Sequence, residues 1–556
     1  MMTSMIRSAV LATGLATIAL AGGCAVGTEA EEIPVAETAY GTVLGLSEGN
    51  LDVYRGIPYA APPVGDLRFR PPHQPQRWDG LLAADKFGPA CIQPVRGAAS
   101  GSIYANPAMT ELSEDCLSLN IWAPEGAARA PVLVWIHGGA LRTGSSSEAM
   151  YDGSGLAGQG LVVVSINYRV GVLGWLAHPE LSAESPDGVS GNYGLLDQIA
   201  ALEWIAGNIE AFGGDPDNVT IAGESGGALS VMYLMASPQA HGLFDKAIAQ
   251  SAYMITNPAL NEARFGMPSA EGIGSYLVAG LGKTGIADLR AMDAEELYAA
   301  AAAAGFAPWG TIDGVVLPDE IVNVFDAGKQ APIPILTGFN SGEIRSLRVL
   351  APTVPESAEA YEATIRELYG DMAGAFLALY PSSDLEGSIL AAPRDSLYGW
   401  TSNRLVRKQE ALGHPSFLYL FDHGYPAADD NGLHGFHAAE IPYVFGTIDN
   451  TPPFWPAIPE TDVEQDLSRA MMGYWASFAR DGVPSAEGVA AWPAFGTDKA
   501  YMAFEKTPVP GEDLMPGMFE LHEETMCRRR AEGTQAWNWN TGIASPVLPA
   551  ETESCK

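Results

Sequence analysis

Gly223-Glu224-Ser225-Gly226-Gly227 is the segment whose residue types and spacing point most directly to chemistry. A serine hydroxyl becomes a useful nucleophile when a tight strand-to-helix turn exposes it beside a base. The flanking glycines remove side chains that would collide in such a turn. The apolar run Val219-Thr220-Ile221-Ala222 leads into it, and Ala228 to Met235 reads as the helix that follows. That helix would aim its first N–H groups at the site. The pattern recurs at Gly45-Leu46-Ser47-Glu48-Gly49, unsurprising in a chain with 62 glycines. The second match lies in a predicted hairpin with no helix after it. Ser225 is therefore the candidate nucleophile.

Attack on a carbonyl puts negative charge on its oxygen, which preorganised N–H groups can stabilise. His137-Gly138-Gly139-Ala140 directly follows an apolar run ending at Ile136, and its small residues permit close approach to a substrate. The N–H groups of Gly139, Ala140 and Gly226 are nominated as an oxyanion hole. The chain has nine histidines to supply the base. An order of nucleophile, acid, base favours those late in the chain. His434 and His437 lie in a polar, glycine-containing loop after the run Phe417–Phe421, whereas His414 precedes that run and His522 sits in a charged helical stretch. Glu343, after Ile335-Leu336-Thr337-Gly338-Phe339-Asn340-Ser341-Gly342, is the candidate acid that would orient the imidazole. A glutamate opening a helix is the plainer reading of the same residue. His434-x-x-His437-x-x-Glu440 also resembles a set of metal ligands, but no second cluster completes it, so no metal is expected.

These residues need elements to hold them. Pro131 to Ile136 and Leu161 to Ile166 are continuous apolar runs, as strands buried on both faces should be. Leu195 to Ala206 has helical spacing, Ala299 to Ala304 reads as the end of a helix, and Ile333 to Thr337 and Phe417 to Phe421 are further strands. Gly41 to Gly56 reads as a short hairpin turning at Glu48-Gly49-Asn50. Strands alternating with helices predict an α/β fold with a mostly parallel sheet. The 556 residues exceed the usual size of one core and by themselves suggest two or three domains. No repeat or linker divides the chain after residue 38. With 66 acidic against 30 basic residues, the formal charge of −36 excludes nucleic acid as a natural partner.

The N-terminus reads as a targeting segment. Arg7 precedes an apolar stretch, Ala9 to Ala21, shorter than the ~20 residues a membrane-spanning helix needs. Residues 1–24 are read as an export signal and 25–37 as an acidic tether, leaving 38–556 for the catalytic domain. Cys91 and Cys116 flank one loop and Cys527 and Cys555 another, which suits an oxidising compartment. The odd cysteine, Cys24, ends Leu20-Ala21-Gly22-Gly23-Cys24. A bacterial lipoprotein signal would be cleaved and acylated there, so Cys24 is a candidate lipidation site and membrane tether. Simple cleavage near this point is the alternative. A periplasmic, outer-membrane-tethered or secreted location follows.

An ordered series of motifs resembles the type-B carboxylesterase/lipase family, the cholinesterase-like branch of the α/β-hydrolases, over nearly the whole chain after residue 38. It includes Gly56-Ile57-Pro58-Tyr59-Ala60, Pro62-Pro63-Val64-Gly65, Arg68-Phe69 and Glu114-Asp115-Cys116-Leu117-Ser118-Leu119-Asn120. Asn192-Tyr193-Gly194-Leu195-Leu196-Asp197-Gln198 and Phe212-Gly213-Gly214-Asp215-Pro216 lead to the serine motif. Asp313-Gly314, Gly338-x-Asn340-x-x-Glu343, His437 to Gly446, Tyr474-Trp475 and Phe478-Ala479 follow. The resemblance implies His437 over His434, since the family histidine precedes a glutamate by three positions, here Glu440. It implies Glu343 as the acid, oxyanion donors at Gly139, Ala140 and Gly226, and a Cys91–Cys116 disulfide. It also implies one large catalytic domain with long insertions over the sheet. Ser118 departs from the commoner tyrosine or threonine. The region Ser102 to Pro107 lacks the tryptophan that holds choline in cholinesterases, so choline esters are not expected.

The expected function is hydrolysis of small to medium uncharged esters through an acyl-enzyme, with no cofactor. A lipase on longer acyl chains and a non-catalytic binding protein of the same fold are the alternatives. Phe306, Trp309, Leu141, Tyr398 and Trp400 are candidates to line the substrate pocket, and oligomeric state is not legible.

Overall fold

In the computed structural model, described for residues 33–555 apart from 95–101, 107, 108, 110 and 539, one sheet organises the chain. Its strands are β1 (Leu46–Glu48), β2 (Leu51–Pro58), β3 (Ser118–Pro124), β4 (Ala130–Ile136), β5 (Val162–Ile166), β6 (Gly214–Glu224), β7 (Lys246–Gln250), β8 (Ile335–Asn340), β9 (Ser416–Phe421), β10 (Ala500–Phe504) and β11 (Pro508–Glu512). The spatial order is β11-β10-β9-β8-β7-β6-β4-β5-β3-β2-β1. From β5 across to β10 every pairing is parallel, while β3, β2, β1 and β11 are antiparallel additions at the edges. This is the α/β fold with a mostly parallel sheet that the alternation of elements predicts, and the α/β-hydrolase architecture that the family resemblance implies.

The apolar runs become strands because both faces of the sheet are covered. Along β4, Val132, Val134 and Ile136 pack into one core with α1 (Tyr193–Asn208) and α2 (Gly226–Ala236). Leu133 and Trp135 point the other way, into a second core with Leu467, Met471 and Phe478 of α3 (Asp462–Asp481). Alternation of side chains along a strand thus feeds two cores from one run. The described chain from Ile33 onward forms one compact body, so the expectation of two or three domains from length fails.

Three boundaries need correction. The tether expected over residues 25–37 does not hold for its last residues, because Val35–Glu37 is a strand pairing with Thr42–Leu44, and Ala36 between its exposed neighbours is buried. The hairpin expected over Gly41 to Gly56 is narrower. Glu48 pairs with Leu51 around Gly49-Asn50, but Thr42–Leu44 leaves for a separate three-stranded sheet. The strand expected at Ile333 to Thr337 runs instead from Ile335 to Asn340, since Pro334 cannot donate to a ladder. Cys91–Cys116 and Cys527–Cys555 are both disulfide-bonded, with Cα separations of 5.0 and 5.7 Å. The export segment and Cys24 lie outside the described residues.

Register brings the site together. Gly223 pairs with Ile136 and Ala249, Gln250 with Gly338, and Asn340 with Phe421. The C-terminal ends of β4, β6, β7, β8 and β9 therefore share one edge, where parallel α/β sheets bind their ligands.

Candidate active site

Ser225 links β6 to α2 with φ 54° and ψ −117°. A non-glycine residue there is strained, by roughly 1–3 kcal/mol, and is held only by well-determined surroundings. The glycines around it explain how. A Cβ on Gly227 would lie 2.0 Å from the Ile136 carbonyl oxygen, and one on Gly223 would lie 2.6 Å from the Gly227 carbonyl carbon. Only glycines let α2 start this close to β4. The Ser225 N–H donates to the Gln250 carbonyl at 3.0 Å, which ties the turn to β7. The alternative serine, Ser47, sits in β1 within the hairpin, as expected of a chance match.

The loop after β4 folds back over this turn. Gly139 has φ +102°, and Ala140 and Leu141 are also left-handed at +55° and +60°. A Cβ on Gly226 would come within 2.8 Å of the Ala140 nitrogen, so the two backbones nearly touch. Among the described residues the N–H groups of Gly139, Ala140 and Gly226 donate to no backbone carbonyl outside the regular elements. Gly139, Ala140, Ser225 and His437 all line one cavity of about 300 Å³.

The loop after β9 brings His437 to the same cavity, buried at 6% exposure. Its Nδ1 hydrogen-bonds Glu343 Oε2. The other Glu343 oxygen accepts from the Asn340 N–H at 2.9 Å and the Ser251 hydroxyl at 2.7 Å. Glu343 does open a short helix, Glu343–Ser346, so the plainer reading of this residue is also met. His434 points elsewhere, to Asp429 at 2.7 Å and Asp422 at 3.1 Å. The two histidines of the would-be metal motif thus take different carboxylates.

Three residues in the site were not read as such from the sequence. Glu224 is buried, and its Oε1 lies 3.1 Å from His437 Nε2. Its place in the serine motif was the available signal. Glu440 is fully buried and accepts from Gln250 at 2.9 Å and Asn340 at 2.6 Å; Trp475 in turn donates to Gln250 at 2.9 Å. Its sequence signal was the spacing from His437. Tyr104 lines the cavity with its hydroxyl 2.8 Å from Ser346 Oγ and 2.9 Å from the His437 carbonyl oxygen. Nothing in its sequence surroundings marks it. Of the five pocket candidates, Trp309 and Tyr398 line the cavity, the latter with its ring 5.6 Å from that of His437. Leu141 and Trp400 are core residues, and Phe306 packs half-buried against the core.

The electrostatics follow from burial. Desolvation pushes the His437 imidazole down, but Glu224, Glu343 and Glu440 outweigh it and raise the group to about 9. Burial raises the Glu224 carboxyl to about 8 against the pull of His437. The two groups lie 3.1 Å apart, so the ionisation of each depends on that of the other. His137 is the opposite case, pushed down to about 4 by burial and stacked on Tyr168 at 4.4 Å.

The chain as a whole has relatives over most of its length. The carboxylesterase family model matches residues 32–518. Fumonisin B1 esterase of Sphingopyxis macrogoltabida is 38% identical over 499 residues, covering 86% of this chain and 88% of that protein. Para-nitrobenzyl esterase of Bacillus subtilis is 37% identical over 477 residues, covering 83% and 92%. Among solved structures, a PNB esterase and a Geobacillus stearothermophilus carboxylesterase each superpose with a TM-score of 0.75 at 33% identity. Each superposition covers 88% of this chain and 99% of the other. A strained serine at a sheet edge, a buried imidazole–carboxylate pair and this whole-chain similarity lead to one conclusion: the chain belongs to the carboxylesterase family and is a serine carboxylic ester hydrolase.

Proposed function

We propose that Ser225 is the nucleophile, His437 the general base, Glu343 its orienting acid, and the N–H groups of Gly139, Ala140 and Gly226 the oxyanion hole. The observation that carries this reading is the buried His437–Glu343 pair opening on the same cavity as the strained Ser225. Ser225 Oγ attacks the ester carbonyl carbon and its proton passes to His437 Nε2. The carbonyl oxygen takes the negative charge against the N–H donors. The ester C–O bond breaks, and His437 returns the proton to the leaving alcohol. Water then repeats the sequence on the acyl-enzyme, releasing the acid and restoring the serine. Nε2 faces Glu224 here, the chain neighbour of Ser225, and catalytic hydrogen bonds commonly tighten only with substrate present.

Small to medium uncharged esters are the favoured substrates. The cavity holds about 300 Å³ and is lined mainly by apolar and aromatic side chains. Its charged lining residues, apart from His437, are Glu148 and Glu224, with no lysine or arginine among the described residues. We also read residues 1–24 as an export signal, with Cys24 a candidate lipid anchor. Arg7, the apolar stretch and the cysteine usage support that reading. Mass spectrometry of the mature N-terminus tests it, and a retained Met1 on protein isolated from the native host would sink it.

The functional test is hydrolysis of p-nitrophenyl esters from acetate to palmitate by wild type and Ser225→Ala. Turnover should fall by at least ~10³-fold in the variant with its circular dichroism unchanged. A rate optimum at long chains would instead mark a lipase. A folded variant that retains activity would exclude Ser225.

A further inference from the structure

Gln93 lies two residues beyond Cys91, buried at 5% exposure, on the segment closed by the Cys91–Cys116 bridge. Its Oε1 accepts from the Gly144 N–H at 2.7 Å, and its Nε2 donates to the Gly144 carbonyl at 2.8 Å and to the Cys91 carbonyl at 3.1 Å. One side-chain amide thus supplies the paired bonds that a neighbouring strand would give. Gly144 closes the turn that opens at Gly139, whose carbonyl accepts from Arg142 and Thr143 at 3.0 and 3.1 Å. Gly144 itself has φ +113°, and a Cβ there would lie 2.3 Å from His137 Nδ1. The end of the turn therefore cannot be anchored by a side chain of its own. On the far side, the Leu141 carbonyl is held by the Gly171 N–H at 2.7 Å and the Arg142 carbonyl by the Tyr298 hydroxyl at 2.5 Å. Those contacts keep the turn folded; Gln93 holds Gly144 itself, and just beyond it Asn167 Oδ1 accepts from the Ser146 N–H at 2.8 Å.

We propose that Gln93 is a positioning residue for the reaction: its amide fixes the height of the Gly139 and Ala140 N–H groups over Ser225. This rests on the oxyanion assignment above. The donors must meet an oxygen that exists only in the transition state, so a shift of a fraction of an ångström costs turnover rather than binding. Gln93 touches no substrate in this account, although it borders the cavity. Its effect passes through backbone.

The test uses the purified full-length enzyme and p-nitrophenyl butyrate, with active sites counted by the p-nitrophenol burst on phosphorylation by diethyl p-nitrophenyl phosphate. Gln93→Met keeps the side-chain length and removes the amide. We expect kcat per titrated site to fall ~10- to 100-fold, with KM within about threefold of wild type. Inhibition by a trifluoromethyl ketone, which binds as an oxyanionic hemiketal, should weaken in parallel with kcat. Should Gln93→Met fail to fold, Gln93→Asn keeps the amide, shortens its reach, and should show the same loss per site. An unchanged kcat per titrated site in the folded variant, with lost activity explained by fewer sites or a lower Tm, would overturn the proposal. A wild type inert toward these esters would overturn the functional reading instead.

Discussion

Three buried carboxylates surround one imidazole. Glu343 holds Nδ1, Glu224 lies 3.1 Å from Nε2, and Glu440 is locked behind them by Gln250 and Asn340. Together they raise His437 to about 9. The sign for activity follows directly. Below that value His437 holds a proton and cannot accept one from Ser225, so kcat/KM should climb through neutral into alkaline pH and be lost as pH falls. In Glu224→Gln the neighbouring negative charge is gone, and the limb should move to lower pH by about one unit or more. A pH–rate profile of both proteins decides this, and a limb that stays in place would remove Glu224 from the account. Tyr104→Phe makes a second residue-scale test. It deletes the hydroxyl joining Ser346 to the His437 carbonyl, and should cost about 1 kcal/mol of stability with a fewfold loss of kcat. Urea unfolding and steady-state kinetics read the two effects. Ser225 and its neighbours were legible in sequence because the motif is local. Tyr104 was not, because its partners lie more than two hundred residues away.

At the scale of elements, the serine turn is a packing problem solved by glycine. Gly227→Ala would force a methyl group to within 2.0 Å of the Ile136 carbonyl oxygen and push α2 off β4. We expect a loss of at least ~1–3 kcal/mol in urea unfolding together with loss of esterase activity. Gly49→Ala is the control in the hairpin turn. Its φ is +68° but nothing lies within 4 Å of the added carbon. It should cost about 1–2 kcal/mol and leave kcat unchanged. The two Gly-x-Ser-x-Gly matches thus separate by what surrounds their glycines. Continuous apolar runs announced β4, β5 and β9 because both sheet faces are buried. The strand Lys246–Gln250 carries no comparable run, with a lysine and a glutamine at its ends and alanines inside. It is a strand because β6 and β8 flank it.

At the scale of the molecule, charge and the C-terminal strap matter most. Above pH 9, where His437 is neutral and Glu224 ionised, a pocket lined by Glu148 and Glu224 inside a chain whose formal charge is already −36 at pH 7 should repel anionic esters. A p-nitrophenyl ester bearing a terminal carboxylate should show kcat/KM about tenfold or more below its methyl-capped analogue, with part of the gap closing at high salt. Equal rates would refute the electrostatic argument. The Cys527–Cys555 bridge closes a 28-residue separation at the C-terminus. Within that span, Leu548 bonds Leu368 backbone-to-backbone and the Gly542 N–H donates to the Tyr369 hydroxyl, strapping the tail over a buried aromatic cluster. Paired replacement of both cysteines by serine should lower stability by about 2–4 kcal/mol, read by thermal unfolding, without changing kcat at 25 °C. Neither cysteine lines the cavity.

The central apolar strands, the serine on its strand-to-helix turn and the small residues after β4 were determined by the sequence, because each depends on neighbours a few positions away. Apolar runs mark the central strands other than Lys246–Gln250, and glycine spacing marks where backbones can approach. Between His434 and His437 the local residues did not choose, and only the family resemblance did. In the tertiary structure the two part company: His434 turns to Asp422 and Asp429, while His437 reaches Glu343 across 94 residues. Tertiary structure also set Glu224 against His437 and left the cavity wall without lysine or arginine among the described residues. Those facts depend on the register of β4, β6, β7, β8 and β9 at one sheet edge, which arises from the packing of the whole sheet and is written in no single segment.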